Sequence, residues 1–291
     1  MRRILLTGAD GQVGWELRRT LAPLGEVIAF NRSTLDLTDL DRLRGTIREI
    51  APDLIVNAAA YTAVDRAEAE EALALRINAE APGLMAEEAQ RLGAWIMHYS
   101  TDYVFDGRKP GVYVEDDEPN PLNAYGRTKL AGERAIAAVD GRHVVFRTSW
   151  VYADRGRNFL LTMLRLGQER DELKVVADQR GAPTWARMIA EASAAAAVQL
   201  LQGTKSGTAQ DLLTGIYHLT CGGNTSWHEF ACAIFDRRPG TKAPRVLPID
   251  TSQYPTPAIR PLNSVLSNTR LQDRFGLALP DWRTALSLCL A

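Results

Sequence analysis

Tyr125 and Lys129 stand four residues apart in the segment Tyr-Gly-Arg-Thr-Lys. In a helix, this spacing places both side chains on one face. A tyrosine hydroxyl has an ordinary pKa of about 10 and is a poor acid or base near neutrality. A lysine ammonium group nearby favours the phenolate and lowers such a pKa by roughly one to three units. The pair therefore predicts general acid–base chemistry on a carbonyl oxygen.

Two hydroxyl residues, Ser100 and Thr101, follow an apolar run of strand length upstream of this pair. A hydroxyl at the end of that strand can hydrogen-bond the same carbonyl oxygen, while Lys129 can also hold the ribose of a nicotinamide nucleotide. A lone Tyr-x-x-x-Lys pair is more often a solvated pair on a helix surface. Together, Thr101, Tyr125 and Lys129 form a candidate catalytic set for reducing a carbonyl group.

Gly8, Gly11 and Gly14 have GxxGxxG spacing, directly after an apolar run and at the start of a helical pattern. Glycines permit a tight turn, let the backbone approach a pyrophosphate, and let the helix pack closely on its strand. The helix N-terminus then binds the negative charge. With the intervening Gln12 and Val13, this loop predicts a nicotinamide dinucleotide site.

The end of the second apolar run favours NADPH over NADH. An NAD enzyme usually carries an acidic residue there, which binds the ribose hydroxyls. Here the sequence reads Asn31, Arg32 and Ser33, and the first acid is Asp36, followed by Leu37. Arg32 and Ser33 can instead bind a 2′-phosphate. We therefore predict NADPH as the cofactor, with NADH tolerated.

The elements that position these residues follow one alternating pattern. Strand-length apolar runs alternate with helical spacing over residues 39–50, 67–92, 124–138 and 186–201. This order predicts an α/β fold, a doubly wound parallel Rossmann sheet with a smaller, discontinuous C-terminal substrate lobe. We assign residues 1–150, and about 172–220, to the dinucleotide-binding domain. Residues 151–171 and 221–291 are assigned mostly to the substrate lobe.

Composition excludes several classes of protein. The 34 Lys and Arg balance 35 Asp and Glu, so the chain lacks the basic excess of a nucleic-acid binder. No apolar stretch reaches the roughly 18 residues that a membrane span needs. Three scattered cysteines show no paired spacing, which argues against a disulfide scaffold. We expect a cytoplasmic protein that binds neither nucleic acid nor membrane.

Motifs along the chain resemble the extended short-chain dehydrogenase/reductase superfamily and, within it, the dTDP-4-dehydrorhamnose reductase family. That resemblance implies NADPH-dependent reduction of the C4 ketone of dTDP-4-dehydro-β-L-rhamnose, the last step of dTDP-L-rhamnose synthesis. The segments that carry it are TGADGQVG (7–14), VNAAAYTAVDRAE (56–68), HYSTDYVFDG (98–107), NAYGRTKLAGE (123–133), FRTSWVYADRGRNF (146–159), DQRGAPT (178–184) and YPTPAIRPLNSVL (254–266).

The resemblance also implies roles for individual residues. It assigns the catalytic set to the same threonine, tyrosine and lysine. Three small residues would pass beneath the cofactor: Ala58, Ala59 and Ala60. The residues it implies around the nucleotide sugar are Thr62, Val64, Asp102, Tyr103, Trp150, Arg260 and Asn263.

One departure from the family concerns magnesium. Some members bind this metal through acidic residues at a dimer interface, and Glu16 and Glu191 are the weak candidates here. Arg187 occupies the remaining acidic position, and a cation there disfavours a bound divalent metal. We therefore expect no metal site and activity that is insensitive to chelators. A homodimer without metal remains open.

Two alternatives remain open. One is a related enzyme that reduces or epimerises another nucleotide sugar at C4; an epimerase would need no added reductant. The other is a noncatalytic NADP-binding regulatory subunit built on the same fold. The intact set of Thr101, Tyr125 and Lys129 argues against the second. Fold alone does not decide among these functions.

Overall fold

The computed structural model describes residues 1–202, 211–237 and 243–291. Parts of the assigned domains, residues 203–210 and 238–242, lie outside the described residues. The strands are β1 Arg3–Thr7, β2 Glu26–Phe30, β3 Leu54–Asn57, β4 Trp95–Thr101, β5 His143–Thr148, β6 Val151–Tyr152, β7 Glu172–Val176, β8 Arg180–Gly181, β9 Thr184–Trp185, β10 Gly215–His218, β11 Thr225–Ser226 and β12 Arg245–Ile249.

Helices connect these strands. They are α1 Gln12–Thr20, α2 Leu40–Ile50, α3 Val64–Ala67, α4 Glu71–Leu75, α5 Ala81–Leu92, α6 Ala124–Ala138, α7 Phe159–Glu169, α8 Ala186–Gln202, α9 Trp227–Asp236, α10 Thr269–Phe275 and α11 Trp282–Leu290. Among the helices described, none has both the length and the apolar character needed to cross a bilayer.

The central sheet has six parallel strands in the order β2-β1-β3-β4-β5-β10. After β1 the chain first adds β2 on one side and then β3 on the other. In sheets of this kind, ligands bind beyond the carboxyl ends of the strands at such a switch point. The topology therefore places the site where β1 and β3 end.

Helices cover both faces of this sheet. Ile4 of β1 shares one core with Leu17 of α1 and Ile189 of α8. The next residue, Leu5, packs into the opposite core, which includes Leu43 of α2 together with residues of α5 and α6. Successive strand side chains point to opposite faces, so both faces are apolar. The predicted doubly wound α/β fold is confirmed.

The smaller lobe has a core of its own, built from α7, α9, α11 and the parallel pair β7–β12. Leu173 and Val175 of β7 pack there with Phe230 and Trp282. By contrast, α8 packs on α1, and β10 joins the central sheet. Of the segment 172–220, which was assigned to the dinucleotide-binding domain, residues 172–176 therefore pack in the small lobe. Helix α8 and strand β10 of the same segment pack with the central sheet and the helix α1 that covers it.

Two helix predictions had different outcomes. Helix α6 spans the predicted residues 124–138, because the Asn123 side chain caps it by accepting a hydrogen bond from the Gly126 N–H at 2.8 Å. The predicted helix over 67–92 is wrong as a single element. A π-helical stretch, Arg76–Glu80, separates α4 from α5, and the amide of Asn78 in this stretch bonds the backbone of Tyr61.

Candidate active site

The glycine loop follows β1 and packs against the backbone just after β3. Gly8 has a φ of +72°, and a Cβ there would lie 2.6 Å from the backbone of Ala58. A Cβ on Gly14 would lie 2.0 Å from the Gly8 carbonyl oxygen, so α1 packs directly on the turn. Gly11 caps α1 without a side-chain hydrogen bond. The first N–H groups of α1 therefore suit a pyrophosphate.

A contact from the small lobe reaches this loop. Asn158, which caps α7 by accepting from Leu161 N–H at 3.0 Å, donates through Nδ2 to Gln12 Oε1 at 2.9 Å. Val13, next to Gln12, packs against the core of the central sheet. Asn158 was not assigned a role from the sequence. It lies within a motif of the resemblance, yet no chemical pattern pointed to its contact with the loop.

The turn after β2 is organised by Asn31. Its Oδ1 accepts hydrogen bonds from Ser33 N–H at 3.0 Å and Thr34 N–H at 3.1 Å, and its Nδ2 donates to Asp10 of the glycine loop at 2.7 Å. This amide therefore ties the two predicted cofactor segments together. The side chain of Arg32 is 81% exposed.

The remaining residues of this turn differ in exposure. Asp36 lies 3.9 Å from the Arg32 guanidinium, and the Thr38 N–H hydrogen bond, more than this cation, lowers the pKa of Asp36. Leu37 is buried in the core beneath the turn. Arg32 is thus an exposed cation in this turn, whereas Leu37 anchors the turn in the core.

The three predicted catalytic residues lie at the carboxyl end of β4 and on the adjoining face of α6. Thr101 is the last residue of β4, and its hydroxyl donates to Asp102 Oδ1 at 3.0 Å. Burial raises the pKa of Tyr125 to about 12, with a hydrogen bond from Thr101 acting in the opposite direction. The expected lowering of the tyrosine pKa by Lys129 is wrong here, because burial dominates.

Lys129 is buried and faces away from water. Its Nζ donates to the Tyr99 carbonyl oxygen at 2.6 Å and lies 3.1 Å from Nε2 of His98. Burial lowers the pKa of Lys129 to about 8, and Glu133 opposes that effect. The contact of His98 with Lys129 was not predicted from the sequence. Only the strand register and helix position together reveal it.

Asp102 is a buried acid beside the same set, and only 2% of it is exposed. Burial raises its pKa to about 7, although hydrogen bonds from Ser264 and Thr101 work against this shift. The next residue, Tyr103, places its ring 5.8 Å from that of Tyr125 in an edge-to-face arrangement. The site thus combines a phenol, a hydroxyl and a carboxyl group in one desolvated space.

The segment after β3 meets the proline-rich segment near residue 260. Asp65 of α3 accepts from Arg260 Nη2 at 2.9 Å, and this hydrogen bond lowers the pKa of Asp65. This contact places Arg260 next to the segment that contains Thr62 and Val64, where Val64 is the first residue of α3. Asp65 was missed, although it lies in the motif VNAAAYTAVDRAE between Val64 and Arg66, where an acid is a possible partner for a cation of the site.

Two predicted substrate residues make contacts within the protein. The Asn263 amide donates to the carbonyl oxygens of Lys109 at 2.9 Å and Gly111 at 2.6 Å. Trp150, at a φ of +48°, stacks on Trp227 of the small lobe with ring centroids 3.6 Å apart. Asn263 therefore braces a loop, and Trp150 joins the two lobes.

The weak metal candidates are engaged in ion pairs. Glu16 pairs with Arg19, and Glu191 pairs with Arg187 at 3.1 Å. Across residues 1–202, 211–237 and 243–291 there is no cluster of three His, Cys, Asp or Glu side chains that could hold a metal ion.

A parallel sheet with a glycine loop at its switch point and a Thr–Tyr–Lys set at the same edge of the sheet defines a protein of the extended short-chain dehydrogenase/reductase class. Residues 1–291 match the family described as RmlD substrate binding domain. The chain belongs to this family.

Relatives with curated names agree with this assignment. The chain is 52% identical to a dTDP-4-dehydrorhamnose reductase of Burkholderia thailandensis, over 99% of this chain and 98% of the relative. It is 45% identical to a protein of the same name from Escherichia coli K12, over 99% and 96% of the two chains. The Bacillus subtilis spore coat polysaccharide biosynthesis protein SpsK is 38% identical, over 98% and 96%.

Solved structures show the same similarity. A dTDP-4-dehydrorhamnose reductase from Bacillus anthracis in complex with NADP has a TM-score of 0.89 and 37% identity, covering 99% of each chain. A Clostridium acetobutylicum protein of that name has a TM-score of 0.90 and 38% identity, over 99% of this chain and 98% of that one. A Thermus thermophilus UDP-glucose 4-epimerase, at 20% identity and a TM-score of 0.79, shares the fold.

Proposed function

We infer that this chain reduces the C4 ketone of dTDP-4-dehydro-β-L-rhamnose to give dTDP-L-rhamnose, with NADPH as the hydride donor. The relatives at 45–52% identity are named for that activity, and the similarity extends over nearly their whole length. The observation that carries the proposal is the set of Thr101, Tyr125 and Lys129 at the carboxyl end of β4, on the same sheet edge as the glycine loop. A noncatalytic regulatory subunit has no need of such a set.

NADPH supplies the hydride when bound. The residues present fit it, because the Gly8 and Gly14 cradle leaves no room for a Cβ and the first turn of α1 has no side-chain cap. The N–H groups of Gln12 and Val13 would hold the pyrophosphate. Arg32, 81% exposed at the end of β2, would hold the 2′-phosphate. The related Bacillus anthracis structure contains NADP.

Tyr125 would donate the proton in this reaction. Its pKa of about 12 keeps it a phenol at neutral pH, which is the protonated form that a ketone reduction consumes. The Thr101 hydroxyl, at the end of β4 beside Tyr125, would hydrogen-bond the same oxygen and stabilise the developing alkoxide. Lys129, held by the Tyr99 carbonyl, would fix the ribose of the nicotinamide half. Holding the groups in place supplies much of the rate.

The sugar nucleotide would lie between the lobes. Arg260, fixed by Asp65, would bind the diphosphate, and Tyr103 and Asp102 would line the space around the sugar. Trp150 would present an aromatic ring to the apolar face of the deoxysugar, provided its stack with Trp227 opens. These roles, the roles of Thr62, Val64 and Asn263, the homodimer and the cytoplasmic location remain predictions.

The test is NADPH oxidation by the purified protein supplied with dTDP-4-dehydro-6-deoxy-D-glucose, with and without the 3,5-epimerase that makes the L-sugar. We expect turnover only with the epimerase, and dTDP-L-rhamnose as the product. Turnover without it would indicate a different ketosugar reductase. Tight NADPH binding without turnover in either mixture would contradict the proposal and favour an epimerase or a regulatory subunit.

A further inference from the structure

The indole of Trp150 is covered on both of its faces. On one face lies the indole of Trp227, with ring centroids 3.6 Å apart and planes 6° from parallel. Gly181 packs on the ring as well, since a Cβ there would lie 2.5 Å from Trp150 Cε2 and 2.6 Å from Nε1. An atom between the two stacked rings would touch both, yet the three atoms nearest to this Cβ position all belong to Trp150. Gly181 therefore covers the face that points away from Trp227.

The two sides of this clamp are tied to each other. Thr225 of β11 pairs with Gly181 of β8 in an antiparallel ladder. Ser226 ends that strand and caps α9, and Trp227 is the first residue of the helix. Behind Trp227, the ring of Phe159 lies with its centroid 4.6 Å away. Trp227 and Gly181 therefore belong to one small unit that holds the Trp150 ring between its parts.

The clamped ring lies next to the catalytic set. Thr148, the last residue of β5, pairs in register with Thr101 of β4, and Trp150 follows two residues later. Trp150 has a φ of +48°, which bulky side chains rarely adopt, and its carbonyl oxygen accepts from the Thr184 N–H at 3.2 Å. Backbone strain of this kind persists only where the surroundings enforce it, and it is concentrated at functional sites.

The rim of the indole is the part left for a ligand. Trp150 is half-buried, and because both faces are covered, its exposed part lies along the rim. The rim of an aromatic ring is electropositive and, in tryptophan, carries the Nε1–H donor, whereas the face is electronegative. A rim suits a hydroxyl or phosphate oxygen, and a face suits C–H groups. A face contact with a deoxysugar would require the ring to leave the clamp.

We propose that Trp227 is a positioning residue. With Gly181 it clamps the Trp150 indole, so that the stack stays closed in the complex and the sugar nucleotide meets the Nε1–H rim instead of the ring face. The contact with the sugar nucleotide rests on the proposed function, whereas the clamp exists in the free protein. Trp227 itself acts through Trp150.

The direct test is NMR of the protein with isotope-labelled tryptophan. The chain has six tryptophans, so Trp150→Phe and Trp227→Phe assign the two rings. We expect nuclear Overhauser effects between these rings in the free protein and also with NADP⁺ and dTDP-L-rhamnose, together with a downfield shift of the Trp150 Nε1–H when the sugar nucleotide binds. Ring-to-ring effects that are absent in the free protein, or lost in the complex, would overturn the clamp.

The same experiment separates the clamp from the proposed function. An Nε1–H that stays in place while the sugar nucleotide binds would overturn the rim contact. A protein that binds no dTDP-L-rhamnose would contradict the proposed function, and the ring-to-ring effects in the free protein would still decide whether Trp227 holds Trp150.

Steady-state kinetics of Trp227 variants give a second readout. We expect Trp227→Leu to raise KM for the sugar nucleotide about tenfold, because the lost stacking lets the Trp150 ring move. KM for NADPH and kcat should stay within about threefold of wild type. Trp227→Phe keeps an aromatic face and should restore most of the sugar affinity. A purely structural role would instead lower kcat through the loss of folded enzyme and leave KM unchanged, and that result would contradict the proposal.

The other side of the clamp can be changed with Trp227 intact. In Gly181→Ala, the added Cβ would enter the Trp150 ring, so the ring must leave its place. We expect the same selective rise in KM for the sugar nucleotide. Gly222→Ala is the matched control, because a Cβ there meets nothing closer than 3.7 Å, and its KM should equal that of wild type. Equal KM values in Gly181→Ala and Gly222→Ala would contradict the clamp.

Discussion

The Thr101 hydroxyl donates to Asp102 Oδ1 at 3.0 Å, and both side chains are buried beside Tyr125. A threonine hydroxyl has a single hydrogen. While Asp102 is ionised, it takes that hydrogen; once protonated, its carboxyl group can donate to Thr101 and release the threonine hydrogen for a substrate oxygen. The protonation state of Asp102 therefore controls what Thr101 can offer.

Turnover is expected to fall as the pH rises through about 7, because the pKa of Asp102 lies there. In Asp102→Asn this limb of the kcat–pH profile should disappear, since an amide does not ionise. Asp106→Asn, in the same loop, is the control, because hydrogen bonds lower the pKa of Asp106 and keep it ionised throughout. Persistence of the limb in Asp102→Asn would contradict this assignment.

Removing the Arg32 cation should weaken NADPH binding selectively. The guanidinium is 81% exposed and lies 3.9 Å from Asp36, so it is available to a 2′-phosphate. We expect Arg32→Ala to raise KM for NADPH about tenfold and leave KM for NADH unchanged, given roughly 1.5–3 kcal/mol for a hydrogen bond to a charged group. Steady-state kinetics with both cofactors measure this. Arg165→Ala, on α7, is the control, and an equal change for both cofactors would refute the role.

The glycine loop offers a matched pair of Gly→Ala variants. At Gly14, the added Cβ would lie 2.0 Å from the Gly8 carbonyl oxygen, so α1 must move away from the turn. We expect at least a tenfold loss of NADPH affinity, measured by fluorescence titration. At Gly45, in α2, a Cβ meets nothing within 4 Å. Gly45→Ala should keep full affinity and raise the free energy of unfolding by about 1 kcal/mol. Equal affinities in the two variants would exclude this role for Gly14.

Acid stability should depend on Glu88 of α5. Arg44, Arg48 and Arg91 surround this buried carboxylate at 2.7–2.9 Å, and the hydrogen bond from Arg48 contributes most to lowering its pKa to about 2. Because the unfolded state binds this proton more readily, the stabilisation is complete above about pH 4.5 and is lost as the pH falls toward 2.

Replacing this carboxylate tests the linkage. Glu88→Gln should lower the free energy of unfolding by about 2 kcal/mol at pH 7, and the difference from wild type should narrow by about 1 kcal/mol by pH 3.5. Urea unfolding at several pH values measures both. Glu87→Gln is the control, because Glu87 is exposed and pairs with Arg44 at 3.2 Å. A difference that stays constant with pH would disprove the linkage.

Local patterns in the sequence predicted most of the fold. Apolar runs of strand length located the strands of the central sheet because both faces of that sheet are covered, and helical spacing over 124–138 located α6. The interruption at 76–80 has no local signal, because it depends on Asn78 bonding the distant Tyr61. Because the sequence shows no local sign of this interruption, its helical spacing predicted one continuous helix over residues 67–92.

For the site, what sequence reasoning could not predict were the contacts between residues that are distant in the chain. The types and spacing of Tyr125, Lys129 and Thr101 indicated acid–base chemistry, but spacing says nothing about burial. Burial reversed the expected shift of the tyrosine pKa and turned Lys129 toward His98. The Asn158–Gln12 contact likewise joins residues 146 positions apart in the chain.

The central claim, that this chain is a ketosugar reductase with Tyr125 as its proton donor, is tested most directly by one comparison. Wild type, Tyr125→Phe and the control Tyr152→Phe, whose buried hydroxyl lies in the small lobe, would be assayed for NADPH oxidation with dTDP-4-dehydro-β-L-rhamnose. We predict that Tyr125→Phe loses at least a hundredfold in kcat and still binds NADPH, while Tyr152→Phe keeps wild-type turnover. Near-normal turnover by Tyr125→Phe would contradict the mechanism, and an inactive wild type would contradict the function.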